Sequence, residues 1–554
     1  MTEEGYSPEQ HQQAIESYQQ QLEMAREIGD RSEEAACLNN LGKAYYSLEQ
    51  YQGASDYFQQ SLKIARERCD AQGESKSLNN LGKAYYSLEQ YQLAIDYYQQ
   101  CLDIKREIGD RLGEAASLNY LAKAYYSLEQ YQQAIDYYQQ GLDVKREIND
   151  FKGQANSLDN LGNAYYLLGQ YERAIDYHQQ SLDIEREMGN REGEAASLCS
   201  LGNAYHSLGQ CERAIDYYQP GLDIKREIGD RQGQASILFI LGNLYDSLGD
   251  YDRAIDYHQQ ALTIQREIGD TQGEANTLSC LGIAYASLEQ YQRAIECFQQ
   301  SVETAQKIGD AEGQALFLGF LGNTYYSLGE DQQAIDYYQK SLTIRRELGD
   351  AKEEATSLKS IGNAYVSLGQ YQRAIAYYEQ SLTIQRQIGD IEGEAISLGN
   401  LGDAYRCSGQ YQQAIAYYEQ SLGIQRQLGN AKGEATSLNN LGIAYRFLRQ
   451  YQQAIDYHQQ SLAIQREIGN AQGEARCWLN LGLAFAEVDR ESEAIAAYQN
   501  ARQLYQEMGR SAKVRDCDKV IGHLVQTNSL KTAVIGLLRW IQQLWQQVRA
   551  QLRR

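Results

Sequence analysis

Apolar residues recur at spacings of three and four along almost the whole chain, which is the pattern of helices that bury one face. In a first stretch, this stripe consists of Leu38, Leu41, Tyr45 and Leu48. A second stretch follows directly, with a stripe made of Tyr51, Ala54, Tyr57, Phe58, Leu62 and Ile64. The same two stripes return every 40 residues from about Glu34 to Gly509. This pattern predicts a tandem array of helix pairs.

The repeat divides the chain into four segments. Residues 1–33 form a lead-in and a half-repeat helix, 34–509 hold twelve tandem units, 510–528 form a capping helix and 529–554 form a basic amphipathic helix. Between units, Gly109 can end one helix and Asp110 can cap the next. Because one helix pair cannot bury its own apolar face, the units are expected to stack into a solenoid.

Two small residues predict how the paired helices pack. Glycine occupies eleven of the twelve equivalent positions in the first helix, with Ala122 as the exception. Glycine inside a helix costs roughly 1 kcal/mol relative to alanine, so its repetition indicates a close approach of backbones. Alanine occupies all twelve positions from Ala54 to Ala494 in the second helix. We expect these alanines to be the surface that packs on the glycines.

The repeated motif resembles the tetratricopeptide repeat. The residues that carry the resemblance are Leu158, Leu161, Gly162, Tyr165, Ala174 and His178, with Trp478 restoring the family's tryptophan in the last unit. The period is longer than the usual length of about 34 residues, and no proline closes each unit. Both departures are similar to Pins/LGN-type adaptors and kinesin light chains. The resemblance implies an all-α, right-handed superhelix whose inner groove binds extended peptides or partner helices.

The face of the first helix opposite its buried stripe is the candidate binding surface, because it varies between units while the stripe does not. A neutral solvated face would vary in the same way. The residues predicted to line the groove are Asn40, Lys43, Tyr46, Asn80, Lys83, Tyr86, Lys123, Tyr126, Asn160, Asn163, Asn203, Phe239, Asn243, Asn323, Lys359, Asn363, Asn400, Arg406, Asn440 and Arg446.

Three zones follow one another along this face. The first three units carry lysine and tyrosine, a combination that favours an acidic segment of a partner, with solubility as the alternative. The middle is more apolar, with Phe239, Ile240, Ile283, Leu316 and Phe320. The later units carry Lys359, Arg406, Arg446 and Phe447. Asparagines recur throughout, and their amides can pair with any peptide backbone, although such asparagines are also common in generic repeats of the family. In chaperone-binding members of the family a two-carboxylate clamp holds a partner's C-terminus, and Lys359, Asn363 and Asn400 match three of its five positions. The other two fall on Thr436 and Asn440, which are not cations, and compensation by Arg446 is the alternative.

Composition excludes several classes of function. The formal net charge is -23, which disfavours DNA, RNA and a helical-repeat RNA binder. There is no secretory signal pattern and no apolar run long enough to span a bilayer, so we expect a soluble, cytoplasmic protein. The ten cysteines contain no CxxC pair and are interpreted as scattered small residues. No catalytic motif, metal site or cofactor site is predicted, and the buried slot of the second helix accounts for His178, His258 and His458.

Two stretches depart from the repeat. Pro220, followed by Gly221, is predicted to kink or interrupt its helix. Residues 529–554 contain five cations and no acidic residue, which leaves the other residues, 46 basic and 74 acidic, with a net charge of -28. This segment is interpreted as a cap on the solenoid. The alternatives are a peripheral membrane anchor, with Trp540 and Trp545 at the interface and Arg549 towards headgroups, and a helix for self-association or partner binding.

Overall fold

The computed structural model describes the backbone of residues 8–552 and the side-chain surroundings of residues 12–526 and 536–543. Every regular element in this part is an α-helix. The chain forms two compact units, Met1–Asp270 and Thr271–Arg554, each described here by itself. Successive helices pack as antiparallel pairs, so the prediction of an all-α solenoid of helix pairs is confirmed.

The N-terminal unit contains α1 and six helix pairs. Their bounds are α1 Pro8–Ile28, α2 Arg31–Ser47, α3 Tyr51–Glu67, α4 Ala71–Ser87, α5 Tyr91–Glu107, α6 Arg111–Ser127, α7 Tyr131–Glu147, α8 Phe151–Leu167, α9 Tyr171–Glu187, α10 Arg191–Ser207, α11 Cys211–Glu227, α12 Arg231–Ser247 and α13 Tyr251–Ile268. The half-unit predicted from the sequence lies in α1. In each pair the even-numbered helix is the first helix of the repeat and the odd-numbered helix is the second.

The C-terminal unit contains six helix pairs and a terminal helix. Their bounds are α14 Thr271–Ser287, α15 Tyr291–Ile308, α16 Ala311–Ser327, α17 Asp331–Leu348, α18 Ala351–Ser367, α19 Tyr371–Ile388, α20 Ile391–Cys407, α21 Tyr411–Gln427, α22 Ala431–Phe447, α23 Tyr451–Glu467, α24 Ala471–Ala486, α25 Glu491–Glu507 and α26 Ser511–Leu552.

The turns between units follow the predicted capping chemistry. Gly109 adopts φ 71°, a left-handed conformation that glycine reaches without steric cost. Asp110 then accepts a hydrogen bond from the backbone N–H of Gly113 at 2.9 Å, which satisfies one of the free donors at the start of α6. The two helices of one pair are also joined by an ion pair. Arg111 at the start of α6 forms it with Glu147 at the end of α7.

An aromatic ring, not the repeated alanine, covers each of the eleven repeated glycines of the first helices. A Cβ added to Gly82 would lie 2.4 Å from Cε1 of Tyr98, and one added to Gly42 would lie 2.5 Å from Cε1 of Phe58. The prediction that the repeated alanine packs on the glycine is therefore wrong, because the aromatic residue of the second helix does so. The glycines are needed because they leave room for a ring that the second helix inserts one turn after its alanine.

Polar side chains complete the core at a second repeated position. Ser61 donates to the carbonyl of Ala35 at 3.0 Å and lies 3.0 Å from the hydroxyl of Ser77 in the next unit. Cys101 occupies the equivalent place, with its Sγ 3.4 Å from the hydroxyl of Ser117. All ten cysteines are free thiols. Cys101 therefore acts as a small buried residue, as the sequence indicates for the cysteines in general.

The predicted interruption at Pro220 is absent, because α11 continues through it to Glu227. A proline removes the N–H that would bond to the carbonyl four residues earlier, here that of Asp216. Asp216 is exposed, so water can reach this side of the helix and solvate that carbonyl. The bend that the sequence predicts at this position stays a prediction.

The C-terminal segment is one helix where the sequence predicts two. Helix α26 runs from Ser511 to Leu552 with no break at the predicted boundary near residue 528. Residues 523–535 contain neither proline nor glycine, so no residue there stops a helix. The cap and the basic segment therefore share one continuous backbone.

Candidate peptide-binding face

Four positions of the first helix are exposed or half-buried in every unit except the second, where Asn80 is buried, and we call them the first-helix face. In α2 they are Ala36, Asn40, Lys43 and Ser47, which are exposed or half-buried and lie at spacings of three and four. The neighbouring Asn39 is buried, so it belongs between helices. The face on each first helix is therefore a narrow strip rather than half of the helix.

The first helices crowd together on this side. Cα atoms of α2 and α4 come within 8 Å of each other, and the same holds for α8 with α10, α20 with α22 and α22 with α24. Among the residues that the structure describes, no two successive second helices approach to the same extent. In these places the first helices lie closer together than successive second helices do.

Buried tyrosines hold three of the predicted groove asparagines in place. The hydroxyl of Tyr338 donates to Oδ1 of Asn323 at 2.7 Å, and that of Tyr378 donates to Oδ1 of Asn363 at 2.6 Å. Tyr218 makes the same bond to Asn203. Because each Oδ1 is already occupied, what remains for a ligand is mainly the Nδ2 donor pair.

Burial keeps these tyrosines in the donating form. Desolvation raises the pKa of Tyr218, Tyr338 and Tyr378 well above the ordinary value, so their hydroxyls stay protonated at any physiological pH. The sequence shows the asparagines, but this support is visible only once the second helix is placed behind them.

Asn163 and Asn243 lack this support, because histidine replaces tyrosine behind them. Asn163 donates to Oδ2 of Asp159 at 3.1 Å, while Oδ1 of that carboxylate lies 3.0 Å from Nδ1 of His178. His258 lies 3.3 Å from Asp246. An imidazole is shorter than a phenol, so it does not reach the asparagine as tyrosine does.

A second row of predicted asparagines is divided between the face and the stack. Asn80 is buried and donates to Oδ1 of Asn39 at 3.1 Å, and Asn480 donates to Oδ1 of Asn439 at 2.9 Å. These two amides join neighbouring first helices. The remaining members are half-buried on the first-helix face, namely Asn40, Asn160, Asn400 and Asn440.

The lysines and tyrosines of the first three units are here called the basic strip. In this strip the ring next to a lysine is not one of the predicted tyrosines. Lys83 Nζ lies 5.0 Å from the ring centre of Tyr120, a residue that the sequence analysis did not select although it occupies the position of Asn40. Tyr46 and Tyr86 are wedged between first helices, with hydroxyls 2.8 Å from Ser87 and Ser127 respectively.

The basic strip also contains Lys43, Lys123 and Tyr126. Tyr126 packs edge-on against Tyr131 with ring centres 5.4 Å apart, and Tyr86 packs in the same way on Tyr91 at 5.3 Å. Lys43 is half-buried and Lys123 is exposed. The lysines therefore provide the charge of the strip, and the tyrosines mainly join the helices.

The apolar zone is less open than predicted. Phe239 and Ile240 pack against the core cluster around Leu241, and Phe320 packs against Phe298 with ring centres 5.4 Å apart. Only Ile283 and Leu316 of the predicted set are exposed. Ile396 and Leu483 are also exposed on the face of the C-terminal unit, and their positions in the repeat could have identified them.

The cations of the C-terminal unit differ in their partners. Lys359 is half-buried. Arg406 Nη2 lies 3.4 Å from Oδ1 of Asp403, which also accepts a hydrogen bond from Tyr418. Burial opposes the charge of Arg406, but its hydrogen bond with Tyr418 and the charge of Asp403 raise its pKa. Arg446 instead lies over the ring of Phe447, 4.8 Å from its centre.

Helix α26 exposes large apolar side chains near its end. Leu537, Leu538 and Trp540 are each more than half exposed, and Ile541 is partly exposed. The side chains of Trp545 and Arg549 lie outside the described residues. In the part of the chain that the structure describes, no helix is both long and apolar enough to cross a bilayer. Within the same part, no three His, Cys, Asp or Glu side chains converge to hold a metal ion.

Comparisons with known structures return helical-repeat proteins. BtubC (BKLC) from P. vanneervenii is 21% identical over 40% of this chain and 92% of its own, with a TM-score of 0.37. The putative kinesin light chain TPR-like repeats of Podosopora anserina are 25% identical over 35% and 95% of the chains, with a TM-score of 0.32. The apo quorum sensor NprR from B. thuringiensis is 16% identical over 65% and 99%, with a TM-score of 0.41.

Sequence comparison gives the family directly. A search of curated proteins gives no significant match. The model of the tetratricopeptide repeat matches residues 9–67, 74–147, 153–227, 195–267, 273–347, 348–427 and 433–507, and these ranges cover most of the chain. They coincide with the helix pairs described above, and no catalytic family is indicated. The chain therefore belongs to the tetratricopeptide repeat family.

Proposed function

We propose that this protein is a non-enzymatic interaction scaffold that binds extended peptides or partner helices on the first-helix face. The observation that carries the proposal is the support of Asn203, Asn323 and Asn363 by buried tyrosines. Fixed amide donors can bond to backbone carbonyls whatever the peptide's sequence, and their fixed geometry reduces the entropy lost on binding.

The basic strip of the N-terminal unit supports an acidic partner segment there. Lys43, Lys83 and Lys123 lie on three successive first helices whose faces carry no acidic residue. In a protein with a net charge of -23, such a strip would attract carboxylates that the rest of the surface repels. Rim charges mainly affect the association rate, so binding at this strip should weaken with added salt.

The asparagine prediction is tested with a displayed library of random peptides selected on the full chain. We expect the Asn323→Ala/Asn363→Ala variant of the C-terminal unit to bind a selected peptide about 30-fold more weakly, because two hydrogen bonds of about 1 kcal/mol each are lost. Fluorescence anisotropy measures the affinity.

The control changes three exposed carboxamides on second helices, Gln332→Ala/Gln372→Ala/Gln412→Ala. It should bind like the wild type. Equal affinity of the asparagine variant and this control would remove Asn323 and Asn363 from the proposed binding surface. A further variant, Tyr338→Phe/Tyr378→Phe, keeps the rings and removes only the hydroxyls, so we expect it to weaken binding without unfolding the repeats.

The second candidate is a membrane-tethered adaptor, favoured by the exposed Leu537, Leu538 and Trp540 on α26. The segment 529–554 holds five cations and no acid, a composition typical of helices that lie on anionic lipid surfaces. We expect the full chain to float with vesicles containing phosphatidylserine and not with neutral vesicles.

Two variants make the flotation decisive. A chain ending at Thr527 should lose vesicle binding, and so should Leu537→Glu/Trp540→Glu, which alters only exposed side chains. If all three proteins float to the same extent, α26 is not the anchor.

A further inference from the structure

Arg446 is a half-buried cation without an ion-pair partner among the described residues. Its Nε is fully buried without a hydrogen-bond acceptor, and the same holds for Arg406, so a ligand could bond only to the two outer nitrogens of the Arg446 guanidinium. Its equivalent in the preceding unit, Arg406, has Asp403 three residues earlier and within 3.4 Å. The residue three before Arg446 is Ile443, so the neutralising carboxylate of one repeat is missing in the next.

The surroundings of Arg446 combine this charge with exposed apolar surface. The guanidinium lies 4.8 Å from the ring centre of Phe447, which is 44% exposed and stacks on Tyr411 with ring centres 5.1 Å apart. On the next first helix, Leu483 is 39% exposed at a position of the first-helix face. A ligand could therefore meet a cation and an apolar surface side by side.

We infer that Arg446 binds a side-chain carboxylate of a partner peptide, while Phe447 and Leu483 contact an apolar side chain next to it. A C-terminal carboxylate is disfavoured, because Thr436 and Asn440 stand where a clamp for one requires cations. The inference rests on the proposed function and names the chemistry of one subsite on the C-terminal unit. A half-buried guanidinium without an acceptor is costly, and a carboxylate can accept two parallel N–H bonds from it. A phosphate dianion fits less well, because one arginine neutralises one charge in a protein that is strongly acidic.

The test uses two displayed random peptide libraries selected on the full chain. One library presents peptides with both ends blocked, so that only side chains offer carboxylates, and the other presents free C-termini. We expect peptides with a carboxylate beside an apolar residue to be enriched by the wild type. Enrichment in the first library is the expected result. Enrichment only in the second would assign the site to a C-terminal carboxylate and overturn the inference.

Two variants then separate this site from the rest of the face. Arg446→Gln removes the cation, and Ile443→Asp keeps it but supplies an internal carboxylate at the position that Asp403 occupies beside Arg406. Both should weaken binding of an enriched peptide by about 10-fold, whereas Lys83→Gln, a matched loss of charge in the N-terminal unit, should leave it unchanged.

The failures are distinguishable. If Arg446→Gln selects peptides as rich in carboxylates as the wild type does, or if Lys83→Gln is the variant that loses them, the assignment to Arg446 is overturned. If the wild type enriches no peptide in either library, the proposed function itself fails. Circular dichroism of both variants should match that of the wild type, since Arg446 and Ile443 are only half-buried.

Discussion

Replacing Gly402 by valine should destabilise the helix pair α20–α21 by about 3 kcal/mol, because the new side chain overlaps the ring of Tyr418. A Cβ alone would lie 2.4 Å from Cε1 of that ring, and Tyr418 is fully buried, so the ring has nowhere to move. Repeat arrays open locally, so the measurement is hydrogen exchange of α20 and α21 rather than one global transition.

The control for this prediction is Gly423→Ala in α21. No heavy atom lies within 4 Å of the Cβ position at Gly423, so alanine there should stabilise α21, and with it the same helix pair, by up to about 1 kcal/mol. Opposite signs for the two glycines are the expected result. Unchanged exchange in Gly402→Val would mean that the ring is not held against the glycine.

Acidification should loosen the unit around His458 well before the rest of the chain. Burial, and then the charge of Arg446, lower the pKa of His458 to about 3. Its Nδ1 lies 3.0 Å from Oδ1 of Asn439, so the nitrogen left to take a proton is Nε2, which is buried without a partner. Protonation therefore requires the site to open.

The sign follows from the two pKa values. The imidazole of the unfolded chain titrates near its ordinary pKa of about 6.5, so below that pH the unfolded state binds one more proton than the folded state. This contribution to stability is complete above pH 6.5 and decreases by about 1.4 kcal/mol for each pH unit below it, until pH approaches 3.

The matched variant for this prediction is His458→Phe. Phenylalanine fits this position of the repeat, because Phe298 occupies the equivalent position and is buried there. The measured quantity is the protection factor of α22 and α23 in hydrogen exchange, which corrects for the pH dependence of exchange in an unfolded chain. Between pH 7.5 and 5.5 it should fall strongly in the wild type and little in the variant. The pair α18–α19, with Tyr378 in the slot, provides an internal reference. The same pH response in wild type and variant would assign the effect to other groups.

Some features of the first-helix face could be predicted from the sequence of single helices. Asn203, Asn323 and Asn363 were identified because a period of 3.6 residues decides which side chains share a face. Tyr46 and Tyr86 were assigned to the same open face, but their hydroxyls contact Ser87 and Ser127. Periodicity gives the direction of a side chain from its own helix, and it does not say how near the next helix lies.

The sequence by itself determined the helix pairs, their 40-residue period, the glycine and aspartate at the turns, and membership of the tetratricopeptide repeat family. Only the tertiary structure decided which ring covers each first-helix glycine, which asparagines have a tyrosine behind them, and that the guanidinium of Arg446 lies over Phe447. The physical reason is that helices and turns depend on residues a few positions apart. The other features depend on distances between side chains of different helices, which packing alone sets.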